Sequence, residues 1–91
     1  MNKSEKEHIK KVLSLGCVAC KQLGYFTPGC EVHHIGNGAM GKRASNFEII
    51  PLCPTHHRIG GYGVAVHAGR QAWEKQFGTE QDLLKMVMGS I

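Results

Sequence analysis

The stretch Asn46-Phe47-Glu48-Ile49-Ile50-Pro51-Leu52-Cys53-Pro54-Thr55-His56-His57-Arg58 decides the fold, read together with Cys30-Glu31-Val32-His33-His34-Ile35 upstream. Each holds a short apolar, β-branched run next to turn-forming residues, the pattern of a strand. Strands are therefore predicted at 30–35 and 46–52. Pro51 is expected at the end of the second, since proline cannot donate to a ladder. Between them, Gly36 to Ser45 holds three glycines and the basic step Lys42-Arg43, and reads as a loop.

Working outward, Cys17-Val18-Ala19-Cys20 reads as a tight turn and residues 21–29 as loop. Before it, a helix is predicted over Ser4–Leu15, opened by a capping box of Ser4 and Glu7 and stopped at Gly16. Its apolar face carries Ile9, Val12 and Leu13. Downstream, Gly60, Gly61 and Gly63 break the chain. A helix is predicted over His67–Phe77, with Trp73 and Phe77 one turn apart facing the core. Thr79 caps a last helix carrying Leu83, Leu84 and Val87. The order implies a small α+β domain, a two-stranded centre flanked by N- and C-terminal helices.

Length allows one domain, 1–91, whose core is small enough to want a staple. Eleven Lys and Arg against seven Asp and Glu leave a net charge of +4, which favours a polyanionic partner such as nucleic acid. No run is long and apolar enough for a membrane span, and Met1-Asn2-Lys3-Ser4-Glu5-Lys6-Glu7 lacks the apolar centre of a secretory signal. A cytoplasmic location is expected, where thiols stay reduced. The four cysteines then point to metal binding before disulfides, because Cys17-x-x-Cys20 and Cys53-x-x-His56 are knuckle spacings. Together Cys17, Cys20, Cys53 and His56 make a four-donor set suited to structural zinc. Cys30 is read as a buried strand residue.

Five of the six histidines lie between positions 33 and 67, in two adjacent pairs and one single. Alternation along a strand sends His33 and His34 to opposite faces, so that one can bind a metal while the other addresses a water. If His56 closes the zinc site, His57 is free to face back across the strands. His67 is open to three readings: a third metal ligand, a phosphate contact, or a helix-start residue. Asn46, taken alone, could be a turn former after Ser45. His8 is expected on solvated surface. Lys42, Arg43 and Arg58 flank the histidines and are candidate DNA-backbone contacts, with Lys10-Lys11 a weaker extension.

Cys-x-x-Cys, then Glu31-Val32-His33-His34-Ile35, then the stretch 46–58 resemble the HNH (ββα-metal) nuclease motif with its zinc knuckles. Leu15-Gly16-Cys17-Val18-Ala19-Cys20, the segment Gly38–Gly69 and Trp73–Glu80 resemble more closely the phage recombination-enhancement, RecA-dependent nucleases, over about residues 15–84. The resemblance implies a zinc-stapled ββα-metal core and hydrolysis of DNA to 5′-phosphate and 3′-hydroxyl ends. It also implies a phage or prophage origin in a bacterial host and a RecA filament as partner. It assigns His33 and His57 to a catalytic divalent metal (Mg, Mn or Zn), with a histidine also present at the position of His67. It assigns His34 to the general base and Asn46 to the side chain that orients it. His56 stands where the family more often has cysteine. Imidazole ligands favour Zn²⁺, Mn²⁺ or Ni²⁺ over Mg²⁺. Activity is expected to fall below a pH of about 6.5, where imidazoles protonate. The rival reading is a non-catalytic, zinc-stabilised nucleic-acid-binding module, which needs the knuckles and no His34. A monomer is the expected state.

Overall fold

The computed structural model describes residues 1–35 and 45–91. Lys42 and Arg43 lie outside the described residues. The architecture is α+β, as expected. Helix α1 (Lys3–Ser14) and the short helix α2 (Val18–Gln22) precede strands β1 (Glu31–His34) and β2 (Ile49–Leu52). A five-residue π turn (Thr55–Ile59) and a 3₁₀ turn (Val66–Ala68) lead to helices α3 (Arg70–Phe77) and α4 (Glu80–Ser90). No helix among the described residues is long and apolar enough to cross a membrane.

The two strands pair antiparallel, Glu31 opposite Leu52, Val32 opposite Pro51, His33 opposite Ile50 and His34 opposite Ile49. Beyond them the Ile35 N–H donates to the Glu48 carbonyl at 2.8 Å. Hydrogen-bonded and non-bonded pairs alternate in such a ladder, so Pro51 falls at a non-bonded position, its missing N–H directed away from β1. Proline therefore sits inside β2, one residue before the predicted end, at no cost to the ladder. The strands are shorter than expected: residues 46–48 form the turn into β2, and Cys30 stands half-buried before β1.

All of β2 is buried, because α1, α2 and α4 pack against it. Val12, Val18, Ile35, Ile49, Ile50, Leu52, Trp73, Phe77, Leu83 and Val87 make one core. The Trp73 and Phe77 rings meet at 5.3 Å, as their helical spacing predicts.

Three local expectations shift. Asn2-Lys3-Ser4-Glu5 and Ser4-Glu5-Lys6-Glu7 both spell a capping box, and the chain uses the first. The Asn2 side chain accepts from the Glu5 N–H at 2.8 Å while Glu5 Oε1 accepts from the Asn2 N–H at 3.2 Å. The predicted helix over 67–77 begins only at Arg70, since Gly69 breaks it. A Cβ on Gly69 would lie 2.7 Å from the Tyr62 ring, so only glycine lets that ring close over the backbone. The Cys17–Cys20 turn proves to be the start of α2, with the Cys17 sulfur accepting from the Cys20 N–H at 3.4 Å.

Candidate functional site

Among the described residues, two clusters of side chains able to ligate a metal lie on this frame. In the first, Cys17, Cys20, Cys53 and His56 bring four donor atoms within 4.8 Å of one another, all buried. Gly16 starts the approach: its φ of +79° turns α1 into the knuckle, and a Cβ there would lie 2.9 Å from Phe26. His56 Nδ1 stands 3.2 Å from Cys53 Sγ, 3.4 Å from Cys20 Sγ and 3.7 Å from Cys17 Sγ, and the Cys20 and Cys53 sulfurs are 3.8 Å apart. A tetrahedral zinc with bonds of about 2.0–2.3 Å would have donor–donor edges of roughly 3.4–3.8 Å. The set therefore fits such an ion in number, type and spacing. Without a cation, burial pushes the Cys17 thiol up to about 12 and drives His56 to its neutral form. Cys30 is not in the cluster. Its thiol donates to the Thr27 carbonyl at 3.2 Å, and burial raises it to about 11.

The π turn separates the adjacent histidines. Consecutive residues on a helical turn diverge by about 100°, somewhat less in the wider π turn. His56 thus enters the cysteine cluster, while His57 leaves it for a second group, His33, His57 and His67, whose donors also lie within 4.8 Å of one another. His57 Nε2 and His67 Nε2 are 2.9 Å apart. The His33 ring lies 5.2 Å from that of His57 and 5.1 Å from that of His67, both edge-on. Of the three readings of His67, the geometry places it beside the other two imidazoles, on the 3₁₀ turn, solvent-exposed.

Two carboxylates that sequence reasoning had not singled out complete this group. Glu31 Oε1 pairs with His57 Nδ1 at 2.8 Å, and Glu80 Oε2 pairs with His33 Nε2. Each carboxylate is also near an arginine: Arg58 grips Glu31 at 2.7–3.1 Å, and Arg70 lies 3.6 Å from Glu80. The Arg58 guanidinium, first, and His57, second, hold the Glu31 carboxyl down to about 2. Arg58, expected as a free backbone contact, is thus committed to Glu31 while remaining half-exposed. Burial lowers the His33 pKa, against the opposing pull of Glu80, and leaves a neutral imidazole. With Glu31 on Nδ1, His57 presents its Nε2 to His67, and a carboxylate on the far nitrogen is the usual support of a metal-binding imidazole, fixing its tautomer and ring orientation. The donor set accordingly fits a divalent ion at the three histidines.

The other face of β1 carries His34, exposed, as alternation requires. Its Nε2 meets Asn46 Oδ1 at 2.7 Å, and Asn46 Nδ2 donates to Glu5 Oε2 at 2.7 Å. The turn at Asn46 is organised instead by Ser45, whose hydroxyl and carbonyl accept from the Phe47 and Glu48 N–H groups. Lys10 and Lys11 are exposed on α1. His8, expected on solvated surface, is half-buried with its ring 5.2 Å from Phe47.

A search of curated proteins found no significant match. A family profile described as "Recombination enhancement, RecA-dependent nuclease" matches residues 2–90. That match spans nearly the whole chain, and the protein belongs to the recombination-enhancement, RecA-dependent nuclease family.

Proposed function

We propose that this chain is a single-domain, metal-dependent endonuclease of the HNH (ββα-metal) type that hydrolyses phosphodiester bonds in DNA. The observation that carries the reading is the division of labour across β1: His33 faces His57 and His67, while His34 faces Asn46. A divalent ion held by His33, His57 and His67 would supply charge for the phosphoryl oxygens and the departing 3′ oxygen. His34 takes the proton from the attacking water, as a neutral imidazole can near pH 7. Asn46 orients His34. Glu31 and Glu80 hold His57 and His33 in the tautomers that leave a lone pair for the ion. Cys17, Cys20, Cys53 and His56 take a structural zinc that ties α2 to the end of β2. The net charge of +4, the exposed lysines of α1 and the basic step Lys42-Arg43 favour the DNA backbone. Family membership supports action in recombination and licensing by a RecA filament on DNA.

Plasmid and single-stranded DNA, with and without a RecA filament, are incubated with the zinc-loaded protein and added Mg²⁺ or Mn²⁺, beside a His34→Ala variant. Cutting by the natural chain is expected, with His34→Ala lowering kcat by about 10²–10⁴-fold. Equal cutting by both removes His34 from the reaction. No cutting in any arm, with one tight zinc per chain and no second ion, supports the binding-module alternative.

A further inference from the structure

Glu5 lies on α1, 41 residues before Asn46 in sequence, yet its carboxylate meets the Asn46 amide. One oxygen, Oε1, serves the capping box by accepting from the Asn2 N–H. The other, Oε2, lies 2.7 Å from Asn46 Nδ2. That second bond has a directional consequence. An ionised carboxylate only accepts hydrogen bonds. A glutamate carboxyl is ordinarily ionised at neutral pH, and burial at Glu5 is too slight to reverse that. Whichever end of the Asn46 amide faces it must therefore be the NH₂ end, independent of how the two ends are told apart.

The rest follows from the planarity of the amide. With NH₂ turned to Glu5, the carbonyl Oδ1 is left facing His34 Nε2 at 2.7 Å. A carbonyl oxygen also only accepts, so His34 Nε2 must carry the proton. A neutral imidazole has one N–H, and the lone pair then resides on Nδ1. We propose that Glu5 is a positioning residue which, through Asn46, holds His34 in its Nε2–H tautomer and so makes Nδ1 the nitrogen that accepts the proton from water. The last clause rests on the nuclease reading; the tautomer itself does not.

The relay makes a specific claim about polarity. Gln at position 5 can present either its oxygen or its NH₂, so it no longer dictates the amide's direction. Lys at position 5 is donor-only and demands the opposite one, Oδ1 outward and NH₂ toward His34. The NH₂ group then requires an acceptor, and the His34 proton moves to Nδ1. Because Glu5 also caps α1, Asn2→Ala serves as the control. It removes the cap side chain and leaves the Glu5–Asn46–His34 chain in place.

The test is long-range ¹H–¹⁵N correlation on ¹⁵N-histidine-labelled, zinc-loaded protein without DNA, at about pH 8, where free imidazoles are neutral. The natural chain and Asn2→Ala are expected to show His34 as Nε2–H alone. Glu5→Gln is expected to show both tautomers, and Glu5→Lys predominantly Nδ1–H. An unaltered Nε2–H signal in both position-5 variants overturns the relay, as does Nδ1–H in the natural chain. In the cutting assay Glu5→Gln should lose about tenfold in kcat at unchanged KM, with Asn2→Ala near the natural rate. If the natural chain does not cut DNA, the nuclease reading fails and the tautomer result still stands or falls on its own.

Discussion

At the scale of single residues, the centre is organised by which nitrogen of each imidazole is occupied. His57 gives Nδ1 to Glu31, His33 gives Nε2 to Glu80, and His34 gives Nε2 to Asn46. Each is left with one lone pair for an ion or a proton. This fixes the sign of the pH response. Burial lowers the pKa of His33 and His56 below the ordinary 6.5. The unfolded chain therefore binds their protons first as pH drops. The stability they contribute is complete above 6.5 and is lost as pH falls from there through the lowered folded values. Glu31, held down to about 2, keeps its ties to His57 and Arg58 throughout that window and contributes nothing to the change. Denaturant midpoints of the zinc-loaded protein should thus be lower at about pH 5.5 than at about pH 7.5, where protons no longer compete with the ion for His56. Nuclease activity should fall over the same range, since protons and metal compete for the same nitrogens. A flat pH–rate profile down to about pH 5 counts against histidine chemistry.

At the scale of elements, helix ends do much of the positioning. Glu5 sits in the first turn of α1, one carboxylate oxygen in the capping box and the other on Asn46, and the Thr79 hydroxyl caps α4 by accepting from the Asp82 N–H at 3.1 Å. Glu80 is the first residue of α4, where the helix dipole favours a carboxylate, and its own N–H donates to Glu74 at 2.8 Å. The cap of α4 thereby also steadies the carboxylate that meets His33. Thr79→Ala should cost about 1 kcal/mol, a fall in Tm of roughly 4–8 °C for a domain this size. Thermal melts give the magnitude. Hydrogen exchange should show the added opening in the first turn of α4, and an unchanged Tm would deny the cap its role. The π turn acts as an element in the same sense. It ends where the Gly60 N–H donates to the Thr55 carbonyl at 2.9 Å, a spot where a Cβ would lie 2.5 Å from that oxygen.

At the scale of the whole molecule, one short buried strand collects the packing of three helices, and the cysteine cluster joins α2 to the chain just beyond it. A core of this size is marginal, whereas structural zinc in small domains contributes about 10–16 kcal/mol of binding free energy at neutral pH. Strong chelation should therefore abolish the cooperative melt or lower Tm by more than about 20 °C, and Cys53→Ser should do the same. A divalent ion taken up at His33, His57 and His67, by contrast, would be removable with the fold intact. Calorimetry and zinc counting on the two preparations separate these outcomes, and a chelated protein that melts as before would remove the staple.

The sequence alone determined the donor types and their local spacing: two knuckles, two histidine pairs, a strand that must send His33 and His34 apart, and the helices that close the core. These are legible because each depends on residues a few positions apart, where periodicity and chain geometry decide. It placed the capping box of α1 at Ser4 and Glu7, whereas the folded chain forms it two residues earlier, at Asn2 and Glu5, where the Glu5 carboxylate also meets Asn46. His67 had three readings from sequence, and only the fold brings its imidazole within 2.9 Å of His57. Glu31 and Glu80 carried no signal of their own, since an acidic residue in a strand or at a helix start is ordinary. Their partners lie 26 and 47 residues away. What a buried imidazole does depends on the group that takes its other nitrogen, and folding alone decides which group that is.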